Sequence, residues 1–461
     1  MPKSTLLQRA WAMLFAPVRS APVRPTLGSR SLARRPLYAA TAAVGFAVLA
    51  LSLSGCGDSS STTALSQPPS NVKADDPGTQ PWGRIERDQV STACGLDPAL
   101  LDAVESQLAS TPYTIVRYGR MCWSGGYPGG VSTPYEVFSI TKTLGAILFG
   151  IVASRSNLDD TDAVTEWIPQ QELGDINPNA TLAHVLAMTS TKSDLRHGMK
   201  GEWSYDASGD REINVLVGVL NRAIEREPDA FPGVANAKEL AVKELFAPLG
   251  MSQSSWPGEI FGTSMVSTVE DMSRLGLLLL RKGRWGDRQL LDESFVYRMT
   301  HPAFEDTNTG YGYLTQMNAA QGWTYSTGTA DLECAPYSSW SSHPHAPLFE
   351  SADGNGGSPF EGFHDIGLVW AAGAGGQKVS VHRGLDLVIT VRDDILDLGG
   401  VDVVAGEGLF EGHKRVWRLI RPALLAHDPI YAGNEERFCM AYQRSAYASD
   451  LLSPWSEEAS Q

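Results

Sequence analysis

The stretch YEVFSITKTLGAILFGIVA, residues 135–153, carries the strongest pattern in this chain. Residues 144–153 are almost continuously apolar, and on a helix such a run is buried on every side. Ser139 and Lys142 lie three positions apart just before that run. Residues at this spacing share one face of a helix, so the amine can reach the hydroxyl. The stretch therefore predicts a buried helix that begins with a paired serine and lysine.

This pair has a clear chemical use. A serine hydroxyl is a poor nucleophile until a base removes its proton. Lysine has an ordinary pKa of about 10.4 and can be that base only where its surroundings disfavour the ammonium form. The apolar helix supplies such surroundings, and a helix beginning at Ser139 directs backbone N–H groups toward developing negative charge. We therefore predict Ser139 as nucleophile and Lys142 as its base, a mechanism that requires no metal or organic cofactor.

The S-x-x-K spacing by itself is weak evidence. A second copy, Ser70 to Lys73, lies in a Ser/Pro-rich stretch where nothing would hold or desolvate the pair. A helix-capping serine beside a surface lysine is the alternative for the first copy. The sequence lacks the G-x-S-x-G motif of α/β-hydrolases and the H-E-x-x-H motif of zinc proteases. It also lacks Walker-type and dinucleotide-binding glycine patterns.

The N-terminal 56 residues have the layout of an export signal. All charges before Asp58 are positive, Arg34 and Arg35 precede an apolar stretch over residues 37–53, and small residues follow. The run LSGC ending at Cys56 resembles a bacterial lipobox, whose cysteine becomes the lipidated first residue. We therefore predict an exported lipoprotein of the cell envelope, attached to the membrane through Cys56. An uncleaved membrane anchor is the alternative, since about 17–25 apolar residues can span a bilayer.

The amino-acid composition divides the rest of the chain into three segments. Residues 57–82 are rich in Ser, Thr and Pro and predict a disordered tether, residues 83–428 a globular domain, and residues 429–461 a C-terminal extension. Within the domain, residues 314–365 form a long polar insertion with scattered aromatics. It either overhangs the cleft and shapes substrate choice or is a plain surface loop.

The net charge and the cysteine content indicate which partners and which cellular compartment suit this chain. The net charge of −15 disfavours nucleic acid as a partner, because an acidic chain repels phosphate backbones. Four cysteines follow Cys56, and in an exported chain they permit two disulfides in three possible pairings. Four free thiols are the alternative. Their wide spacing does not suit a metal site.

The predicted elements place strands at both ends of the domain and helices between them. This order predicts an α/β protein of the α+β type, in which an antiparallel sheet from both chain ends is flanked by helices and a helical lobe is inserted. Strands are predicted at residues 114–118, 121–123, 366–372, 379–382 and 385–391, with a hairpin turn at 383–384, and helices at 212–226, 268–281 and 412–426.

Six stretches in sequence order resemble the serine β-lactamase-related family, which includes class C β-lactamases, D-Ala-D-Ala peptidases, family VIII esterases and 6-aminohexanoate-dimer hydrolase-like enzymes. The resemblance covers about residues 90–425 and implies a β-lactamase/transpeptidase-like fold with three motifs in one cleft. The matching stretches are residues 135–153, TLAHVLAMTS (181–190), WSYDASG (203–209), APLGM (247–251), STVEDMSRLGLLLLRKG (267–283) and WAAGAGGQKVSVHRGLDLVITVR (370–392).

The resemblance implies roles for residues beyond the Ser139–Lys142 motif. Tyr205 matches the tyrosine of the second motif and would relay protons, with a pKa that can fall near a cation. A packing tyrosine is the alternative. The third motif falls on Gly375 and Gly376, followed by Gln377. The backbone N–H groups of Gln377 and Ser139 would then form the oxyanion hole.

Two departures from the family pattern bear on the substrate. The third motif carries neither lysine nor histidine, and the second motif has Ala207 where the family has asparagine or serine. Both departures favour a small-molecule or peptide substrate cleaved at an ester or amide bond and without an obligatory carboxylate. A D-Ala-D-Ala peptidase or weak β-lactamase is one alternative, and a catalytically idle lipoprotein that binds muropeptides or a partner protein is another.

Overall fold

The computed structural model describes residues 77–191, 205–301, 303–304, 311–317, 368–382, 386–392, 419–420 and 423–424. Within these ranges no helix is both long and apolar enough to cross a bilayer. The α-helices are α1 (Val90–Cys94), α2 (Pro98–Gln107), α3 (Ile140–Ala153), α4 (Val164–Trp167), α5 (Leu182–Leu186), α6 (Val215–Arg226), α7 (Ala237–Leu240), α8 (Ala247–Leu249), α9 (Val269–Leu280) and α10 (Glu293–Thr300). The strands are β1 (Tyr113–Arg117), β2 (Arg120–Gly125), β3 (Tyr135–Glu136), β4 (Val266–Ser267), β5 (Arg284–Trp285), β6 (Arg288–Gln289), β7 (Gln316–Met317), β8 (Leu368–Gly373), β9 (Gln377–His382) and β10 (Leu387–Val391).

The main sheet has six antiparallel strands in the order β2-β1-β10-β9-β8-β7. Strand β1, from the beginning of the domain, pairs along its whole length with β10, from its end, so that Tyr113 faces Val391 and Arg117 faces Leu387. The predicted sheet built from both chain ends is therefore confirmed. The strand pairs β3–β4 and β5–β6 form two small separate sheets.

The predicted elements agree with the observed bounds to within a few residues. Helix α9 begins as predicted, because the Thr268 hydroxyl accepts a hydrogen bond from the Asp271 N–H at 3.0 Å. The predicted turn at 383–384 and most of the predicted C-terminal helix lie outside the described residues. Strand β7 falls within the first residues of the predicted insertion, where Gln316 pairs with Trp370. Residues 318–365 lie outside the described part of the chain.

The sheet separates two apolar clusters, because alternate residues of each strand point to opposite faces. On the front face, Val379 and Val388 pack against α9, where Gly276 leaves room for both side chains. On the rear face, Trp370 and Ile389 pack with α1, α2 and the side chains of Ile420, Ala423 and Leu424. The front cluster also contains α3, and this is the side on which the Ser139–Lys142 pair lies.

Globular structure begins earlier than the tether prediction placed it. The Arg274 guanidinium donates to the carbonyl oxygens of Gly78 at 3.0 Å and Gln80 at 2.6 Å. The same guanidinium stacks over the Trp82 ring. These contacts dock residues 78–82 onto α9, at the C-terminal end of the predicted tether. Residues 57–76 and the predicted export signal, including Cys56, lie outside the described residues.

One disulfide joins the rear-face helix α1 to the edge strand β2, between Cys94 and Cys122. The sequence permitted two disulfides without choosing a pairing, and this bond excludes the two arrangements in which Cys94 and Cys122 pair with other cysteines. The remaining cysteines, Cys334 and Cys439, lie outside the described residues.

Candidate active site

The nucleophile candidate lies at the beginning of α3. Ser139 is the residue just before the helix and is 6% exposed. Phe138, immediately before it, has a φ of 49°, a left-handed conformation that side chains seldom adopt. The Thr141 hydroxyl holds this turn, since it donates to the Phe138 carbonyl at 2.6 Å and accepts from the Met265 N–H at 3.1 Å. The turn therefore sets the serine at the helix entrance in a fixed backbone geometry.

Lys142 is held at the serine by three hydrogen bonds. Its Nζ lies 3.0 Å from the Ser139 Oγ, 2.8 Å from the Ala207 carbonyl oxygen and 2.7 Å from the Gly262 carbonyl oxygen. The side chain is only 2% exposed. This geometry confirms that the helix brings the amine and the hydroxyl together, and it rules out the alternative of a surface lysine.

Burial also sets the charge of this amine. Loss of hydration lowers the pKa of Lys142 from 10.5 to about 7, although the Asp206 carboxylate acts in the opposite direction. A neutral amine has two hydrogens and one lone pair. The two carbonyl oxygens accept the hydrogens, which leaves the lone pair directed at the Ser139 hydroxyl. The arrangement therefore suits removal of the serine proton near neutral pH.

Tyr205 lies against the same pair. Its hydroxyl hydrogen-bonds to Ser139, and Lys142 Nζ lies 5.1 Å from the centroid of its ring. Burial around the hydroxyl raises the pKa of Tyr205 well above its usual value, and the Asp206 charge raises it further, against the smaller effect of the Ser139 hydrogen bond. The expectation that a nearby cation lowers this pKa is therefore wrong. Tyr205 stays protonated and can donate a hydrogen bond or a proton.

Asp206 fixes the turn that carries Tyr205. Its side chain is buried and accepts from three backbone N–H groups, those of Gly209 at 3.0 Å, Glu212 at 2.9 Å and Ile213 at 3.2 Å. A carboxylate with several backbone donors is well stabilised without a cationic partner. This residue anchors the second motif to the start of α6.

The two carbonyl groups that hold Lys142 were not predicted from the sequence. Both belong to backbone atoms, so residue type carries no signal for them. Ala207 occupies the position where the family has a polar side chain, and here its carbonyl meets the lysine. Gly262 packs so closely on the second motif that a Cβ there would lie 1.6 Å from the Ser208 oxygen.

The third motif lies beside the serine turn. Gly375 and Gly376 form the β8–β9 turn with φ values of 85° and 91°. A Cβ on Gly373 would lie 2.1 Å from the Val137 carbonyl oxygen, two residues before Ser139. The Gln377 side-chain amide, with its nitrogen toward the turn, donates to the carbonyls of Gly373 and Ala374. The backbone N–H of Gln377 as an oxyanion donor stays a prediction.

Lys378, the next residue, is not part of this site. Strand alternation directs it to the rear face together with Trp370, whose ring centroid lies 4.7 Å from the Lys378 Nζ. The side chain is 1% exposed. The lysine nearest in sequence to the third motif therefore points away from Ser139.

Several known proteins are similar to this chain. The family model for β-lactamase matches residues 112–340, and no curated protein matches the chain. Similar solved structures include a β-lactamase from Mycobacterium bovis, with 15% identity over 71% of this chain and 98% of that one and a TM-score of 0.41. A D-stereospecific amidohydrolase from Streptomyces sp. has 16% identity over 68% of this chain and 98% of that one, with a TM-score of 0.40. EstCE1, described as a hydrolase with promiscuous acyltransferase activity, has 12% identity over 72% of this chain and 99% of that one, with a TM-score of 0.45.

The fold is that of the β-lactamases and penicillin-binding proteins, a class of serine hydrolases. Residues 112–340 match the β-lactamase family model, so this part of the chain is a β-lactamase-type domain.

Proposed function

We propose that this chain hydrolyses ester or amide bonds of small molecules through a covalent acyl-enzyme on Ser139. The observation that carries the proposal is the buried Lys142 amine, fixed 3.0 Å from the serine hydroxyl by two backbone carbonyls. The amine takes the hydroxyl proton as Ser139 Oγ bonds to the substrate carbonyl carbon. The resulting tetrahedral oxyanion accepts hydrogen bonds from the backbone N–H groups of Ser139 and Gln377.

The second half of the reaction returns the proton. The tetrahedral intermediate collapses, the bond to the leaving group breaks, and the leaving alcohol or amine takes a proton that passes from Lys142 through the Tyr205 hydroxyl. Water then attacks the acyl carbon and loses a proton to Lys142. The bond between the acyl carbon and Ser139 Oγ breaks, Lys142 returns that proton to the Oγ, and the acid leaves. Tyr205 serves this relay in its protonated form, in keeping with its raised pKa.

The residues of the second and third motifs support esters and amides over β-lactams. Ala207 presents a backbone carbonyl to Lys142 and has no side-chain amide for a substrate amide bond. Lys378 faces the rear of the sheet, so it supplies no cation for a β-lactam carboxylate.

The test is a substrate panel on the wild-type chain and Ser139→Ala. We expect turnover of short-chain nitrophenyl esters or small amides, covalent labelling by a fluorophosphonate, and loss of both in the variant with its fold intact. Persistence of turnover in Ser139→Ala would refute the proposal. Efficient labelling by a fluorescent penicillin, or rapid nitrocefin turnover, would instead indicate the peptidase or β-lactamase alternative. A folded wild-type chain that no acylating probe labels would indicate the catalytically idle binder.

We also propose that the chain is exported and attached to the membrane through lipid on Cys56. The Cys94–Cys122 disulfide supports export, because such bonds persist mainly in oxidising compartments. Expression in a bacterial host with a clickable fatty acid should label the wild-type chain and move it to the membrane fraction. Cys56→Ser should lose the label, and a wild-type chain without lipid would contradict the proposal.

A further inference from the structure

Asn214, the residue just before α6, ties together the two segments that hold Lys142. Its Oδ1 accepts from the Gly262 N–H at 2.9 Å, and its Nδ2 donates to the Ser208 carbonyl at 3.4 Å and to Asp210 Oδ1 at 3.1 Å. Gly262 is therefore held at both ends of its residue, by Asn214 at its N–H and by Lys142 at its carbonyl.

Asn214 and the two backbone segments approach each other closely at Gly209 and Gly262. An ideal Cβ at Gly209 would lie 2.4 Å from Asn214 Oδ1, and one at Gly262 would lie 1.6 Å from the Ser208 oxygen. Both glycines thus let the asparagine amide bridge the two segments. Ser208 directly follows Ala207, whose carbonyl is the second acceptor for the lysine. One side chain consequently sets the positions of both carbonyls.

We propose that Asn214 is a positioning residue for the Lys142 amine. It touches neither Ser139 nor the lysine in the contacts above, and it acts through the peptides of Gly262 and Ser208. The inference rests on the proposed function, because it assigns the asparagine to the base of that same reaction. Its physical basis is that a neutral lysine delivers its lone pair to the serine only while both hydrogens are held by the two carbonyls.

The same helix offers a matched control. Asn221 lies seven residues further along α6 and is half-buried like Asn214, and its Oδ1 accepts from the Ala237 N–H at 2.8 Å. Both asparagines therefore join the helix to a neighbouring backbone N–H. Only Asn214 reaches segments that contact Lys142. Comparing Asn214→Ala with Asn221→Ala separates loss of a structural hydrogen bond from loss of lysine positioning.

The experiment measures the rate of fluorophosphonate labelling from pH 5 to pH 10, with thermal unfolding in parallel. Asn214→Ala should slow labelling at pH 7 about 10-fold or more. It should also raise the apparent pKa of the labelling rate from about 7 toward the ordinary lysine value of 10.5, because water gains access to the amine. Asn221→Ala should lower the melting temperature without changing the labelling rate or its pH dependence.

If Asn214→Ala fails to fold, the same labelling experiment is carried out on Asn214→Ser. The shorter side chain cannot span both peptides, so it should shift the labelling profile in the same direction by a smaller amount. A folded Asn214→Ala or Asn214→Ser chain with the wild-type rate and pH profile would overturn the inference while leaving Ser139 as the labelled nucleophile. Absence of labelling in the wild-type chain, or labelling that survives Ser139→Ala, would instead overturn the proposed function.

Discussion

Among the described residues, Lys142 and Lys378 are buried on opposite sides of the main sheet. Lys142 lies at the front, 2% exposed, with three oxygen atoms around its nitrogen. Lys378 lies at the rear, 1% exposed, with its nitrogen over the Trp370 ring. Burial is the same at both positions. The difference lies in the contacts of the two amines, since the Lys142 nitrogen lies 3.0 Å from the Ser139 Oγ and the Lys378 nitrogen lies over the Trp370 ring.

This difference explains why burial by itself does not create a catalytic base. Two carbonyl acceptors orient the Lys142 amine, and the serine occupies the remaining direction. The Trp370 ring beneath Lys378 attracts the ammonium form of that lysine, whereas a base must be a neutral amine. The comparison predicts that substitutions at the front lysine change chemistry and that substitutions at the rear change stability alone.

The largest expected effect comes from removing the front amine. Lys142→Ala should lower kcat/KM on a nitrophenyl ester by about 100- to 10,000-fold, the contribution typical of general acid–base groups. Lys378→Met is the matched control and should leave kcat/KM unchanged at a temperature where it stays folded. Equal losses in the two variants would show that the contrast between the two faces is wrong.

Tyr205→Phe should have the next largest effect. The substitution keeps the ring beside Lys142 and removes the hydroxyl that hydrogen-bonds to Ser139. We expect kcat/KM to fall about 100-fold, the lower end of the range for proton-transfer groups. Because the pKa of Tyr205 is raised, activity of the wild-type chain should show no alkaline decline from this residue below pH 10. An unchanged kcat/KM in the variant would make Tyr205 a packing residue.

A smaller effect is expected when the labelling rate of the wild-type chain is measured as a function of pH. The reactive form of Lys142 is the neutral amine, which forms as pH rises through its pKa of about 7. The labelling rate should therefore rise about tenfold per pH unit below 7 and level off above it. Lys378→Met should show the same profile. A rate that is constant from pH 5 to pH 9, or still rising near pH 10, would contradict the assigned base.

Much of the fold was predictable because its signals are local. The β-rich strand segments, the apolar run of α3 and the Thr268 cap of α9 each follow from residues close in sequence. The resemblance to a known family then placed Tyr205 near the serine. Strand alternation likewise accounts for the rear-facing Lys378, once β9 is known to begin at Gln377.

The environment of Lys142 was not predictable by the same means. Its carbonyl partners lie 65 and 120 residues away along the chain and are backbone atoms. Nothing in residue type distinguishes such carbonyls from others. The error about the pKa of Tyr205 has a related cause, because burial depends on the packed surroundings of the hydroxyl. Local sequence indicated which groups meet, and tertiary packing determined their charge.

The smallest effect on turnover is expected at the rear disulfide. Replacing both Cys94 and Cys122 by alanine removes a link across 28 residues and should lower the free energy of unfolding by about 2–4 kcal/mol. The bond joins α1 to β2 within the rear cluster and contacts no residue of the Ser139 site. Denaturant unfolding should report the loss, while kcat/KM and the labelling pH profile at 25 °C stay as in the wild-type chain. A shifted pH profile would mean that the rear of the sheet helps to set the charge of Lys142, and the separation of the two faces would then fail.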